Sequence, residues 1–98
     1  MKQKQYDLYL GHNVPEANDW PVTDDELDEF LLCEVPLEGY TLIKAQGSWN
    51  GEREETTILR IIGADLGNTV RGIGRAYKAR FGQEAVYLTV TDVEGELL

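Results

Sequence analysis

Asn50-Gly51 is the feature that most limits how this chain folds. It separates two runs of strand-forming residues, Tyr40 to Trp49 and Glu52 to Ile62. A two-residue type I′ turn needs positive φ at both central positions, and Asn-Gly adopts it readily. The register of the hairpin then follows by counting. Trp49 faces Glu52, Ala45 faces Thr56, Ile43 faces Ile58, Leu42 faces Leu59, and Thr41 faces Arg60. Facing residues share a side of the sheet. One side therefore carries Tyr40, Leu42, Leu59 and Ile61, and the other carries Trp49, Ile43, Ile58, Arg60 and Ile62. Both sides are apolar, so both call for cover.

The flanking segments supply the remaining elements. Gln5 to Leu10 alternates as a strand ended by Gly11, and a loop with two prolines and Trp20 runs from His12 to Val22. Thr23-Asp24-Asp25-Glu26 is a capping box, and Val22 and Leu27 form the staple around it. Leu27, Phe30, Leu31 and Val35 make an apolar stripe at helical spacing, stopped by Pro36. A second helix is predicted from a cap at Asn68 or Thr69 to about Arg80, with Gly82 as its stop. Val70, Ile73 and Tyr77 form its inner face. Gly72 and Gly74 each lower its intrinsic stability by about 1 kcal/mol, which close helix–sheet contact would offset. Ala85 to Thr91 is the last strand, with Val86, Leu88 and Val90 inward, and Val93 to Leu98 is an acidic tail or an extension.

The order βαββαβ predicts one α+β domain over residues 1–98, with the ferredoxin-like architecture. Two helices would cover one face of a four-stranded antiparallel sheet, packing on Leu8, Leu42, Leu59, Ile61, Val86 and Leu88. The other face would show Tyr9, Ile43, Trp49, Ile58, Arg60, Ile62 and Tyr87, a contiguous apolar patch. Burying it against a second copy predicts a homodimer or higher homo-oligomer, with Arg60 in need of a carboxylate or a ligand.

Charge narrows the partners. Nine basic and eighteen acidic residues give a net charge of −9. Such a chain repels phosphate backbones, so direct nucleic-acid binding is not expected. The imbalance is concentrated at the start: ten acids against three bases in residues 1–49, and eight against six in residues 50–98. No apolar run approaches membrane-spanning length and no signal peptide is read at the start, so a cytoplasmic protein is expected. One cysteine, Cys33, and one histidine, His12, leave no internal disulfide and no usual zinc site, and no cofactor is expected.

No Ser-His-acid triad or paired-carboxylate arrangement is visible. Gly72-Ile73-Gly74 lies inside a helix, where it cannot cradle phosphate as a strand-to-helix loop does. The acids Asp24, Asp25, Glu26, Asp28 and Glu29 lack calcium-loop spacing and read as a solvated helix face. Three candidate features remain. His12 follows a strand end, where loops often carry function. Arg71, Arg75 and Lys78 form a basic flank on the second helix, whose plain reading is pairing with the acidic first helix. The third is the open sheet face, with Trp49, Arg60 and Tyr87.

Tyr77-Lys78-Ala79-Arg80-Phe81-Gly82-Gln83-Glu84-Ala85-Val86 resembles the closing motif of a family of small uncharacterised bacterial proteins and lipoproteins, a domain of unknown function. Tyr9-Leu10-Gly11, Val22-Thr23-Asp24, Gly39-Tyr40-Thr41 and Gly47-Ser48-Trp49 extend the likeness over most of the chain. The resemblance implies a shared fold and site but no activity, and it marks Trp49, Tyr77, Arg80, Gln83 and Glu84. Two departures, no lipoprotein leader and a shorter stretch between Trp49 and Thr57, fit a minimal phage-type cytoplasmic version.

The function expected from these features is non-catalytic binding. The leading form is a phage-type anti-defence inhibitor that sequesters a small anionic, nucleotide-like ligand near a subunit interface. Arginines would hold the phosphate while Trp49 or Tyr87 stacks the base. The alternatives are an acidic decoy that mimics nucleic acid to block a host protein, and a small enzyme of unrecognised type using His12 and Glu84.

Overall fold

The computed structural model describes residues 2–14 and 21–98. The predicted loop residues 15–20, Trp20 among them, lie outside the described residues. Six elements follow in order: β1 (Lys2–Gly11), α1 (Asp24–Glu34), β2 (Thr41–Trp49), β3 (Glu52–Gly63), α2 (Gly67–Arg80) and β4 (Tyr87–Glu94). The strands form one antiparallel sheet in the order β2-β3-β1-β4, with the helices packed on one face, a ferredoxin-like α+β arrangement.

The hairpin has the predicted register, from Thr41 opposite Arg60 to Trp49 opposite Glu52. Asn50 (φ 50°) and Gly51 (φ 82°) both take the positive φ that the turn requires. At α1 the capping box is complete. The Glu26 N–H donates to Thr23 Oγ1 at 3.2 Å, and the Thr23 N–H donates to Glu26 Oε1 at 3.1 Å. Val22 and Leu27 are both buried beside the cap.

The core lies between the helices and one sheet face. Tyr6, Leu8, Leu10, Leu59 and Ile61 meet Leu27, Phe30, Leu31, Val70, Ile73 and Tyr77 there. Phe30, Tyr77 and Phe81 pack as an aromatic triad, with Phe30 edge-on to Tyr77 at 5.4 Å between centroids. Gly74 lets α2 approach β1: a Cβ there would stand 3.1 Å from Leu8 Cδ2. Gly72 faces open space, so its helix-weakening effect has no packing counterpart.

Three expectations need correction. The second helix starts at Gly67, with Leu66 at the cap position and no side-chain capping bond, rather than from Asn68 or Thr69. Asp65, at φ 53°, turns the chain sharply, and the Val70 N–H already bonds to Leu66 O at 2.9 Å. The last strand begins at Tyr87, two residues later than predicted, and runs on to Glu94, so Val93 extends the strand. Leu42 and Val90, expected inside, are 42% and 44% exposed. They sit on the two edge strands, and β2 has no buried residue. The end of α2 is as predicted: Gly82 (φ 59°) lets the Gln83 N–H reach back to Lys78 O at 3.0 Å.

Candidate functional site

The hairpin is longer than its neighbour. Pairing of β1 with β3 stops at Gly11 opposite Thr56, with one further bond from the His12 N–H to Glu55 O. The rest of β2–β3 extends past the sheet as a two-stranded arm. Its tip is held by the segment after α2. Trp49 Nε1 donates to Glu84 Oε2 at 3.0 Å, and Asn50 Nδ2 donates to the same oxygen at 3.2 Å. The arm, the end of β1 and the start of β4 enclose a concavity of about 830 Å³ on the open face.

Its wall is aromatic and its rim acidic. Tyr9 and Tyr87 face each other across β1 and β4, with ring centroids 5.7 Å apart, and Trp49 stands on the arm. Thr56, Ile58 and Gly47 form the floor, and Glu52, Glu54 and Glu84 complete the lining. Glu54 lies directly over Gly11: a Cβ on Gly11 would fall 2.4 Å from Glu54 Oε2. The Asn13 N–H fixes that carboxylate from the side at 3.0 Å. Behind the same peptide, the buried Tyr77 hydroxyl donates to Gly11 O at 2.5 Å. Burial, and then the charges of Glu54 and Glu26, push the Tyr77 phenol well above its usual range, so it stays a donor. Gln83 Nε2 donates to Asn13 O at 2.7 Å and ties the segment after α2 to the end of β1.

The predicted site residues divide into groups. Trp49, Gln83, Glu84 and Tyr87 come together at the concavity. Arg60 shares the open face, but its Nε and Nη2 donate to Asp7 Oδ1 and Oδ2 at 2.9 and 3.0 Å. Asp7 is 6% exposed and supplies the carboxylate that Arg60 was expected to need. The hydrogen bonds to Asp7 raise the Arg60 pKa further, keeping the guanidinium charged. Tyr77 is a core residue that acts on the site only through Gly11. His12 is buried with its Nε2 2.9 Å from Thr57 Oγ1, on the helix-covered side, and does not line the concavity with Glu84. Arg71, Arg75 and Lys78 are exposed on α2, in the other layer, and form no ion pair among the described residues. Arg80 forms an ion pair between the helices, 3.5 Å from Glu29, and stacks over Phe81 at 5.5 Å.

Sequence reasoning missed Asp7, Gly11, Asn13 and Glu54. The register already placed Glu54 opposite Gly47 on the open face, and that was the available signal. A smaller recess of about 540 Å³ at the other end of the sheet is crossed by the 2.6 Å Lys4–Asp92 pair. Among the described residues no group of three His, Cys, Asp or Glu is placed to hold a metal ion, and no helix is long and apolar enough to cross a membrane.

The fold has solved counterparts. A phage SAM lyase in complex with S-methyl-5′-thioadenosine superposes with a TM-score of 0.65 at 16% identity, covering 91% of this chain and 80% of that one. A phage SAM lyase in the apo state gives 0.60 at 17% identity, covering 97% and 91%. CPII, a nitrogen regulatory PII-like protein from Thiomonas intermedia K12 bound to ADP, AMP and bicarbonate, gives 0.58 at 14%, covering 100% and 98%. Among curated proteins none matches the sequence. The family model described as a protein of unknown function, DUF3574, matches residues 5–96, and the chain belongs to that family.

Proposed function

We propose that this protein is a small-ligand-binding module whose open-face concavity takes a nucleoside-type molecule, and that it works as a homo-oligomer. The carrying observation is the concavity itself. At about 830 Å³ it falls in the range of small-molecule sites, and Trp49, Tyr9 and Tyr87 offer flat surfaces beside fixed polar groups. Such surfaces suit a heterocyclic base. The fold counterparts support the choice: one is bound to S-methyl-5′-thioadenosine and another to ADP and AMP.

Binding without turnover is the simplest form of this reading, because His12 faces away from the acids of the concavity. Sequestration of a nucleoside by a phage-type anti-defence inhibitor is one use of such a module. The homo-oligomer reading rests on the apolar groups of the open face: Ile62 and Tyr87 are 49% and 65% exposed, Ile43 and Ile58 are partly exposed, and Ile58 and Tyr87 also line the concavity. A second reading, turnover of a sulfonium nucleoside, is supported by the two phage lyases that share the fold. Calorimetric titration with adenosine, S-methyl-5′-thioadenosine, S-adenosylmethionine, AMP and ADP tests binding. Saturable heat with at least one of them, weakened in Trp49→Ala, is expected, and silence across the panel refutes the proposal. Chromatography of the S-adenosylmethionine sample separates the readings: an unchanged nucleoside supports sequestration, and a cleaved one supports turnover.

A further inference from the structure

We infer that the concavity selects its ligand by charge, accepting a nucleoside with an uncharged or cationic substituent and rejecting one with a phosphate. The inference rests on the nucleoside reading above and reverses the expectation of an anionic ligand. Glu52, Glu54 and Glu84 line the concavity, and among the described residues no lysine or arginine does. Two of these acids are held in place by neutral donors. Glu84 accepts from Trp49 and Asn50, and Glu54 accepts from the Asn13 N–H. A neutral N–H orients a carboxylate and leaves its full charge. Neither acid forms an ion pair among the described residues.

The basic residues nearest this field face away or are engaged. Arg53, between Glu52 and Glu54, pairs with Ser48 on the opposite side of the arm, and Lys44 meets Asp24. Arg60 is held by both oxygens of Asp7, and Arg80 by Glu29. Arg71, Arg75 and Lys78 lie on α2, across the sheet. A phosphate entering the concavity would meet like charges in a partly enclosed space, where screening by water is reduced. A sulfonium or ammonium group would meet opposite charges, with the Trp49 face as an additional cation partner. The aromatic wall binds the base in either case, so charge decides among nucleosides that share one base.

Three adenosines that differ only at the 5′ position isolate the effect: 5′-amino-5′-deoxyadenosine, adenosine and AMP. Titrated near neutral pH in low salt, they should bind in that order, each step weakening affinity by about tenfold. Glu84→Gln and Glu54→Gln keep an acceptor in place and should each compress the spread between amine and phosphate by about tenfold. Thermal melting of both variants confirms that they are folded. AMP binding as tightly as adenosine, or a spread unchanged in both variants, overturns charge selection and leaves the nucleoside site standing. Binding of none of the three overturns both.

Discussion

The two faces of the sheet are built from the same strands under opposite rules. At the centre of the covered face, side chains are apolar and enclosed: Leu10, Phe30, Leu59, Val70 and Tyr77 have no exposed surface. The buried His12 and Thr57 side chains there satisfy each other. On the open face, apolar residues alternate with groups that hydrogen-bond sideways: the Asp7–Arg60 pair, Glu54 over Gly11, and Glu84 under the arm. The first face is packing, which sets stability. The second is a surface whose groups are held in position while still reachable, which is what recognition requires.

The contrast is broken most severely by comparing one aromatic from each face. Phe30→Ala empties a site with no exposure and should lower unfolding free energy by about 3–5 kcal/mol. Tyr87→Ala removes a side chain that touches mainly Tyr9 and should lower it by about 1 kcal/mol or less. Urea denaturation of the two variants measures both, and equal losses would erase the distinction.

A second break targets the open face as a subunit contact. Ile62 is half-exposed in the isolated chain, so Ile62→Asp should leave monomer stability nearly unchanged. In a two-fold assembly the residue is buried twice, and association should weaken by about 3 kcal/mol, roughly a hundredfold. Sedimentation velocity should show an oligomer for the parent chain and a monomer for the variant. A parent chain that is monomeric at high micromolar concentration would show that this face meets something other than its own copy.

Tyr77 joins the two faces, since its hydroxyl reaches through the core to Gly11. Its phenol pKa is raised in the folded state, so the folded chain holds that proton more tightly than the unfolded chain. The associated stability is complete below the unfolded value of 10.0 and is lost as pH rises past it. Tyr77→Phe should cost about 1–3 kcal/mol at neutral pH by stranding the Gly11 carbonyl, and should flatten the alkaline fall in melting temperature. An alkaline limb unchanged in the variant would place its origin in another group.

Much of this fold is legible in the sequence because local chemistry fixes it. Asn50-Gly51 sets the hairpin register, Thr23 and Glu26 start α1, and Gly82 ends α2. The start of α2 is not, because Leu66 opens it without a side-chain cap. The site is legible only in part. Of the residues the resemblance marked, Trp49, Gln83 and Glu84 line the concavity while Tyr77 and Arg80 do not, and its shape depends on how far the arm overshoots Gly11 to reach Glu84, a bond between residues 35 apart in sequence. Net charge along a chain also conceals which layer each group occupies. Arg71, Arg75 and Lys78 read as a ligand-binding set but stand on the far layer, while Arg60 is already matched by Asp7. That match was available from the pairing of Asp7 with Arg60 across β1 and β3, which the hairpin alone does not reveal.

Gly11→Ala provides the most direct test of the concavity as a binding site. The added methyl group displaces the Glu54 carboxylate, the flexible end of a side chain, while leaving the core intact. Unfolding free energy should therefore change by about 1 kcal/mol or less. Equilibrium titration of S-methyl-5′-thioadenosine into the parent chain should give saturable, stoichiometric binding, and the variant should bind about tenfold more weakly, about 1.4 kcal/mol. Saturable binding with equal affinity in the two proteins would contradict the assignment of this concavity as the ligand site.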